Sequence, residues 1–509
     1  MLSGGKRVKK EVYFLINSLD VDRGGLTKAC IQQANLSAEL GYETNILTFN
    51  YNGEYSELIK KVEQRYNINN EVKIHNMYDY FRNEFDINKK EVTIDEFISN
   101  IKVLEKVENK EAYRVYDEGV YRNYLSYRDN GTVKGVDHFS DSRYRIKSEV
   151  YTPEGYIGKI SYMDLITNKP RQMVFKNSKG TAYLSKWVNP ETGLANKIIL
   201  FNEGEIKKVL KNDKELKTYF IEQLILKCNN PILVSDARNT DEVMVNVKNK
   251  KAKKVIRLHS NHLSAPYDDN AELAPTVKYA MENLDKIDCL AVLTRKQKED
   301  IIRRFKHSEK VRCIPHGIEI TTKMNMFRKP KIGDDIVVVS RLVSLKQINH
   351  TIEAISLIVK ENPELRIKIY GSGDQENNIK NLIKIKGLEK NIILMGYTSN
   401  IKEVYENALF SIVTSKTEGF SLSILESMAN GTPVLTYDFN YGPSEIIVNN
   451  EDGIIIEKNN VKILSENILE LSKNRDLVRR MSKNAVRNIK NKFSKKQIKN
   501  MWNIFLDEI

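Results

Sequence analysis

Two cations and two carboxylates in this sequence stand where chemistry is done. Arg341 and Lys346 lie five apart in "SRLVSLKQINHTIEAI", after the apolar run "DIVVVSR" and before a helical pattern. Two cations at a strand-to-helix junction form a clamp for a diphosphate, Arg through paired donors and Lys as a mobile point charge. Glu418 and Glu426 follow in "KTEGFSLSILESMANGTPVL". On a helix beginning near Ser421, the spacing of Leu422, Leu425 and Ala429 sets one face, and Glu426 shares it. A carboxylate on a buried stripe needs a partner, and the hydroxyls of a ribose would supply one. Glu418 precedes the helix beside Gly419, where the chain can come close to a ligand. Taken singly, either Glu also reads as an ordinary helix-start carboxylate held by the dipole. Near the start, Gly24-Gly25 in "DVDRGGL" opens a helix and favours an anion there. The same pair also reads as a plain turn, and it is not the GxGxxG dinucleotide pattern.

The elements that must position these groups follow from periodicity. Residues 11–50 read as a β-loop-α-β unit, with "EVYFLINSL" and "YETNILTFN" as strands around the helix "TKACIQQANLSAELG". The alternation then stops for about 150 residues. Between Tyr113 and Tyr183 lie ten of the chain's 25 tyrosines, in short runs separated by "DNG" (129–131), "PEG" (153–155), "NSKG" (177–180) and "PETG" (190–193). That pattern predicts an antiparallel β-meander inserted into an α/β domain. From about 217 the α/β series resumes with "PILVSD", "KKVIRLHS", "CLAVLT" and "VRCIPHGIE". After the linker at 323–334 comes a second series: "DIVVVSR", "LRIKIYG", "NIILMG", "LFSIVTS" and "TPVLTYD". The expected architecture is α/β, with two Rossmann-like domains and a β-rich insertion in the first. The expected borders are 1–70 and 213–325 for the N-terminal domain, 71–212 for the insertion, 326–490 for the C-terminal domain, and 491–509 for a helix crossing back. In parallel sheets ligands bind beyond the carboxyl ends of the strands, which is where Arg341, Lys346 and Glu418 fall.

Bulk properties exclude several classes. At 509 residues, with 41% hydrophobic and 29% charged residues, the chain exceeds one ordinary core. No apolar run reaches the length of a spanning helix, and the basic N-terminus reads as leading into a first strand, not as a signal peptide. Four dispersed cysteines (Cys30, Cys228, Cys289, Cys313) and seven histidines without an HExxH pattern offer neither a disulfide framework nor a metal motif. The expected location is the cytoplasm. Net charge is +14, with eleven Lys/Arg against one acid between Lys473 and Lys499. Each run alone reads as a solvated helix face. Together they favour a polyanionic partner: an anionic lipid surface, a phosphate-rich polymer or nucleic acid.

"EGFSLSILE" with its E-x7-E spacing, "SRLVSLK", "GTPVLTYD", "GPSEIIVNNEDGIII" and "RGGLTKA" together resemble the retaining glycosyltransferases of the GT-B class, family 4. The Tyr-rich insertion and "FNYNGEYSELIKKV" resemble a narrower group, the teichoic-acid poly(polyol-phosphate) α-glycosyltransferases. That resemblance implies transfer of glucose or N-acetylglucosamine from a UDP-sugar to wall teichoic acid. It implies that Arg341 and Lys346 hold the UDP diphosphate, that Glu426 binds the ribose, and that Glu418 faces the donor sugar. Gly419, Phe420, Ser421 and Leu422 would offer backbone N–H groups, Tyr397 in "GYTSN" would border the uracil, and Gly24 and Gly25 would sit by the diphosphate and acceptor. His259 in "LHSNH" would lie near the sugar's 6-position, with His262 the second choice. His316-Gly317 stands where many members have Asn-Gly, and His316 is a further candidate for the donor.

No cofactor or metal is expected, the two cations standing in for a divalent ion. The anionic polymer gives the basic surface a purpose, and the same charge suits peripheral docking on the cytoplasmic leaflet. Relatives imply a homotrimer built through the inserted sheet. A sister group acting on Ser-rich or Ser-Asp-repeat adhesins is the alternative. A nucleic-acid-binding role lacks any recognisable motif, and a sugar-nucleotide epimerase does not account for the insertion.

Overall fold

The computed structural model describes residues 10–21, 25–83, 92–99, 101, 103–320 and 333–509. By internal contacts the chain divides into two units, residues 1–254 and 255–509.

In the first unit, β1 (Glu11–Leu15), β2 (Glu43–Thr48), β3 (Val72–Asn76) and β14 (Ile232–Ser235) lie parallel in the order β14-β1-β2-β3. Their near-continuous burial (Val12, Phe14, Leu15, Ile46, Leu47, Ile232 and Leu233 are all closed to solvent) is what a sheet covered on both faces demands. The Gly25–Glu39 helix follows β1 and packs Ala29, Cys30, Ile31 and Ala34 inward. Between β3 and β14 runs a ten-stranded antiparallel sheet, from β4 (Val103–Lys106) to β13 (Glu205–Leu210), each strand paired, among the described residues, only with its neighbours in sequence. The four turn signals fall where the chain reverses, and Gly131, Gly155, Gly180 and Gly193 all take positive φ there. Val115, Leu125, Val133 and Val136 form a small core under this sheet with Ile94.

The border expected at 71 needs correction. "EVKIHN" is a strand of the parallel sheet, pairing Thr44 with Val72 through Thr48 with Asn76. Its exposed Lys73 and half-open Ile74 and His75 mark an edge strand, which lacks the apolar run of a central one.

The second unit opens with β15 (Lys253–Arg257), β16 (Cys289–Val292) and β17 (Val311–Cys313), again parallel. A six-stranded parallel sheet follows: β18 (Asp335–Val339), β19 (Ile367–Tyr370), β20 (Ile392–Gly396), β21 (Ala408–Val413), β22 (Val434–Tyr437) and β23 (Ile454–Ile456), in the order β20-β19-β18-β21-β22-β23. The reversal of order at β18 and β21 is the switch point at which such sheets open a ligand crevice. The terminal Lys495–Glu508 helix buries Trp502 under the Arg257 guanidinium and sets Ile498 against Gly317, where a Cβ would come within 3.0 Å. Among the described residues no helix is long and apolar enough to cross a membrane.

Candidate active site

The cationic clamp is built where β18 ends. Ser340 and Leu342 donate their backbone N–H to the carbonyls of Tyr370 (3.0 Å) and Ser372 (2.9 Å). This close stitching requires Gly371 and Gly373. A Cβ on either would lie 1.8 Å from the Ser340 oxygen or 2.2 Å from the Leu342 oxygen. Arg341 is left exposed on this loop. Lys346 closes the short Ser344–Lys346 turn, and the Thr414 hydroxyl pins the turn by donating to the carbonyls of Lys346 (2.9 Å) and Gln347 (3.1 Å).

From that position the Lys346 ammonium reaches Oε1 of Glu418, which also accepts from the Ser415 hydroxyl at 3.0 Å. The two charged side chains are 16% and 19% exposed, so solvent screens them far less than a surface pair. Two elements expected separately, the phosphate clamp and the sugar-side carboxylate, thus meet directly across the β18–β21 switch point.

The Glu418 loop is held from behind. Its N–H donates to the Asn440 carbonyl (3.0 Å) and its carbonyl accepts from Tyr441 N–H (2.8 Å). Thr417 Oγ1 donates to the same Asn440 oxygen (2.6 Å) and accepts from Asn261 Nδ2 (2.9 Å). Gly419 lies on the His259 backbone, where a Cβ would sit 2.3 Å from the His259 oxygen. The His259 ring stacks on His316 at 5.5 Å, and His316 meets the edge of Phe420 at 5.9 Å. His259, His316, Gly419 and Phe420 therefore form one cluster with Glu418. Gly419→Ala must push the two backbones apart. We expect a stability loss of about 1–3 kcal/mol, read by thermal unfolding.

Ser421 follows in the left-handed region (φ 73°) and starts the Leu422–Ala429 helix with no side-chain cap. Its uncapped start leaves the first turn to a ligand. Leu422 is half-buried and Phe420 fully buried, so what this segment can offer a ligand is backbone. Glu426 is half-buried on the same helix. It lies near the Tyr405 phenol, whose pKa is pushed well above its usual range by burial first and by the Glu426 charge second. Tyr397, at the end of β20, is 56% exposed. Gly24 lies outside the described residues; Gly25 is exposed at the head of its helix in the first unit.

His262 requires correction as a donor contact. It is 1% exposed, stacked on Tyr441 at 6.1 Å and edge-on to Phe305. Tyr441 in turn donates its hydroxyl to Asp300 Oδ2 at 2.8 Å. The ring braces the Asn440–Tyr441 segment that carries Glu418. The three-residue spacing of the histidines in "LHSNH" cannot separate an open ring from a sealed one; the Tyr441 stack decides it. Burial pulls the His262 pKa down to about 4, with Asp300 opposing and Arg304 assisting. The fold therefore holds a neutral ring while the unfolded chain takes up the proton near pH 6.5. Stability is full above pH 6.5 and declines as pH falls toward 4, by roughly 3 kcal/mol. His262→Phe, which keeps a stacked ring, is expected to shrink the difference in melting temperature between pH 7 and pH 5.

Sequence reasoning misses Asn261, Ser415, Thr417, Asn440 and Tyr441, whose parts in the site are tertiary. The one local signal is the density of hydroxyls in "VTSKTEG", with Ser415 and Thr417 flanking Lys416. Collected at one switch point are an exposed guanidinium, an ammonium shared with a carboxylate, an uncapped helix start and two stacked imidazoles. Such a set can hold a diphosphate beside a hydroxylated ring and steady negative charge as it develops.

Comparison with known proteins agrees with that chemistry. The family described as "Glycosyl transferases group 1" matches residues 320–488. The poly(ribitol-phosphate) alpha-N-acetylglucosaminyltransferase of Staphylococcus aureus is 31% identical over 97% of this chain and 99% of its own. The poly(glycerol-phosphate) alpha-glucosyltransferase of Bacillus subtilis is 29% identical over 98% of this chain and 75% of its own. A crystal structure of a mutant S. aureus TarM with fondaparinux, alpha-GlcNAc-glycerol and UDP superposes with a TM-score of 0.85 at 28% identity, covering 97% of this chain and 99% of that one. With two parallel α/β sheets, a separate antiparallel sheet and this likeness along nearly its whole length, the chain belongs to the group 1 glycosyl transferases and has the GT-B fold.

Proposed function

We propose that this chain is a family 4 retaining glycosyltransferase that moves glucose or N-acetylglucosamine from a UDP-sugar to hydroxyls of a polyol-phosphate teichoic acid, forming an α-linkage. The observation that carries the reading is the meeting of Lys346 and Glu418 at the β18–β21 switch point, in a chain alike end to end to a poly(ribitol-phosphate) α-transferase. Arg341 and Lys346 take the diphosphate, and Glu426 takes the ribose hydroxyls. Tyr397 borders the base, and the Gly419–Leu422 backbone faces phosphate and sugar. Gly24 and Gly25 lie beside the diphosphate and acceptor. His259 and His316, stacked behind Gly419, flank the sugar.

The anomeric C–O bond breaks with its electron pair leaving on UDP. Arg341 and Lys346 stabilise the charge that develops there, which is usually the largest catalytic term. The acceptor hydroxyl attacks on the face the diphosphate leaves, and its proton passes to the departing phosphate oxygen. Glu418 positions the sugar and stabilises the positive charge at its anomeric carbon.

The basic surface serves the polymer and the inner face of the cell membrane, where the reaction takes place. The antiparallel sheet, with two open edge strands, suits a homotrimer. A UDP-release assay crossing UDP-glucose and UDP-N-acetylglucosamine with glycerol- and ribitol-phosphate polymers tests the reading, with a Ser-rich peptide as a further acceptor. Release that depends on one polymer is expected. Release with the peptide alone, or equal release without any acceptor, would overturn it.

A further inference from the structure

The Glu418 loop is fastened by a helix that carries none of the residues assigned to the donor. Arg295–Arg304 is ten residues long, and Gln297, Asp300 and Ile301 share its buried face. Two of those three are polar, and a buried polar side chain must find a partner. Thr294 starts the helix by accepting the Gln297 N–H at 3.1 Å.

The partners lie on both sides of Gly419. Gln297 Nε2 donates to the Ser260 carbonyl at 3.0 Å. The Ser260 nitrogen is among the atoms that a Cβ on Gly419 would strike, at 2.8 Å. On the other side, the Tyr441 hydroxyl donates to Asp300 Oδ2 at 2.8 Å, and the Lys296 N–H donates to Glu445 Oε1 at 3.0 Å. The segment held in this way is the one stitched to Glu418 through the Asn440 carbonyl and the Tyr441 N–H. It also closes on Phe420, since a Cβ on Gly442 would lie 2.0 Å from the Phe420 oxygen. Residues 418–420 are thus wedged between two segments, and one helix ties down both.

Asp300 makes the strongest of these ties. Its side chain is 5% exposed, and its Oδ1 accepts from the Lys296 ammonium (2.7 Å) and the Arg303 guanidinium. The two cations fix the carboxylate on its helix and leave Oδ2 to Tyr441. Burial first and Asp300 second push the Tyr441 pKa up, so the phenol keeps its proton and remains a donor. A hydrogen bond to an ionised acceptor is roughly twice as strong as one between neutral groups.

We propose that Asp300 is a positioning residue, setting the Glu418 carboxylate against the donor sugar through the Tyr441 hydroxyl and the Asn440–Tyr441 backbone. Its effect on turnover rests on the role proposed above for Glu418; its hold on the loop does not.

The test uses the full chain and two readouts. Tyr441→Phe removes one oxygen, keeps the ring on His262 and leaves Asp300 paired with Lys296 and Arg303, so the fold is retained. Hydrogen–deuterium exchange at the Glu418 and Tyr441 amides is expected to quicken by roughly tenfold, the worth of one hydrogen bond to a charged group. In UDP release, kcat should fall about ten- to a hundredfold, the scale for a displaced group at the reacting centre, while UDP affinity holds. A bond that served stability alone would lower the melting temperature and leave the kcat of the folded chain unchanged. Asp300→Asn combined with Tyr441→Phe should cost no more than the larger single loss, because both substitutions act on one bond. Unchanged exchange or unchanged kcat in Tyr441→Phe would overturn the proposal, as would losses that multiply in the double variant. Should the wild-type chain transfer no sugar to any acceptor, the function proposed above fails, and the exchange rates alone decide whether Asp300 sets the loop.

Discussion

Glu418→Ala is expected to abolish sugar transfer while UDP still binds. In the structure the carboxylate holds the Lys346 ammonium and the Ser415 hydroxyl. Removing it frees Lys346, a half-buried cation, to meet the diphosphate without competition, so UDP affinity should hold or rise. In the role proposed for Glu418, what disappears is the negative charge facing the sugar, and with it the steadying of the anomeric carbon as its bond to UDP breaks. A fall in kcat of about 10²–10³-fold is the scale for loss of one such group. Turnover by UDP release and UDP affinity by calorimetry, measured on the same preparation, separate the two effects. Near-normal turnover would remove Glu418 from the reaction.

Lys346→Ala should act in the opposite direction on UDP. Its removal takes from Glu418, 19% exposed, the cation it is paired with and leaves it the Ser415 hydroxyl, so the incoming diphosphate meets a carboxylate whose charge Lys346 no longer balances. Both UDP affinity and kcat should fall, kcat by about 10²–10³-fold. Lys346→Arg is not a safe rescue. The planar fork is bulkier than an ammonium, and the turn at Ser344–Lys346 is fixed by Thr414. The double variant supplies the check. If the two residues act through one contact, combining the substitutions restores part of the UDP affinity lost in Lys346→Ala. Strictly additive losses would show that they serve the donor independently.

The parts of this site that lie within one stretch of chain are legible in the sequence. Arg341 and Lys346 announce themselves because a strand, a loop and a helix follow in order, and ligands sit beyond strand ends. Glu418 and Glu426 do so through their placement around a helix start. The four glycine turns of the meander also stand out, since each needs a backbone that only a few residues adopt. The direct bond between Lys346 and Glu418 is different. It joins two loops brought together by the pairing of β18 with β21, and no periodicity encodes that. The same holds for Asn261 on Thr417 and for Asn440 on Glu418. His262 shows the limit most sharply, because one residue of chain separates open loop from core and only the packing of Tyr441 tells them apart. β3 escaped for a related reason, as an edge strand needs too little apolar sequence to be recognised.

The neighbour-only pairing of the antiparallel sheet bears on how the chain assembles in time. Each of its hairpins closes a short loop, so the sheet can zip from any turn with little entropic penalty. The parallel sheet of the same unit must instead bring Val12 to Ile232, with the whole meander in between. An unfolded stretch of that length makes the search slow; a folded one brings its two ends to fixed positions. With β4 and β13 at its two edges, the folded inserted sheet would replace a wandering loop by a fixed span between the segments that lead to β1 and β14. A lesion in a meander turn, far from any reacting group, would register first as a slower or lower yield of native chain.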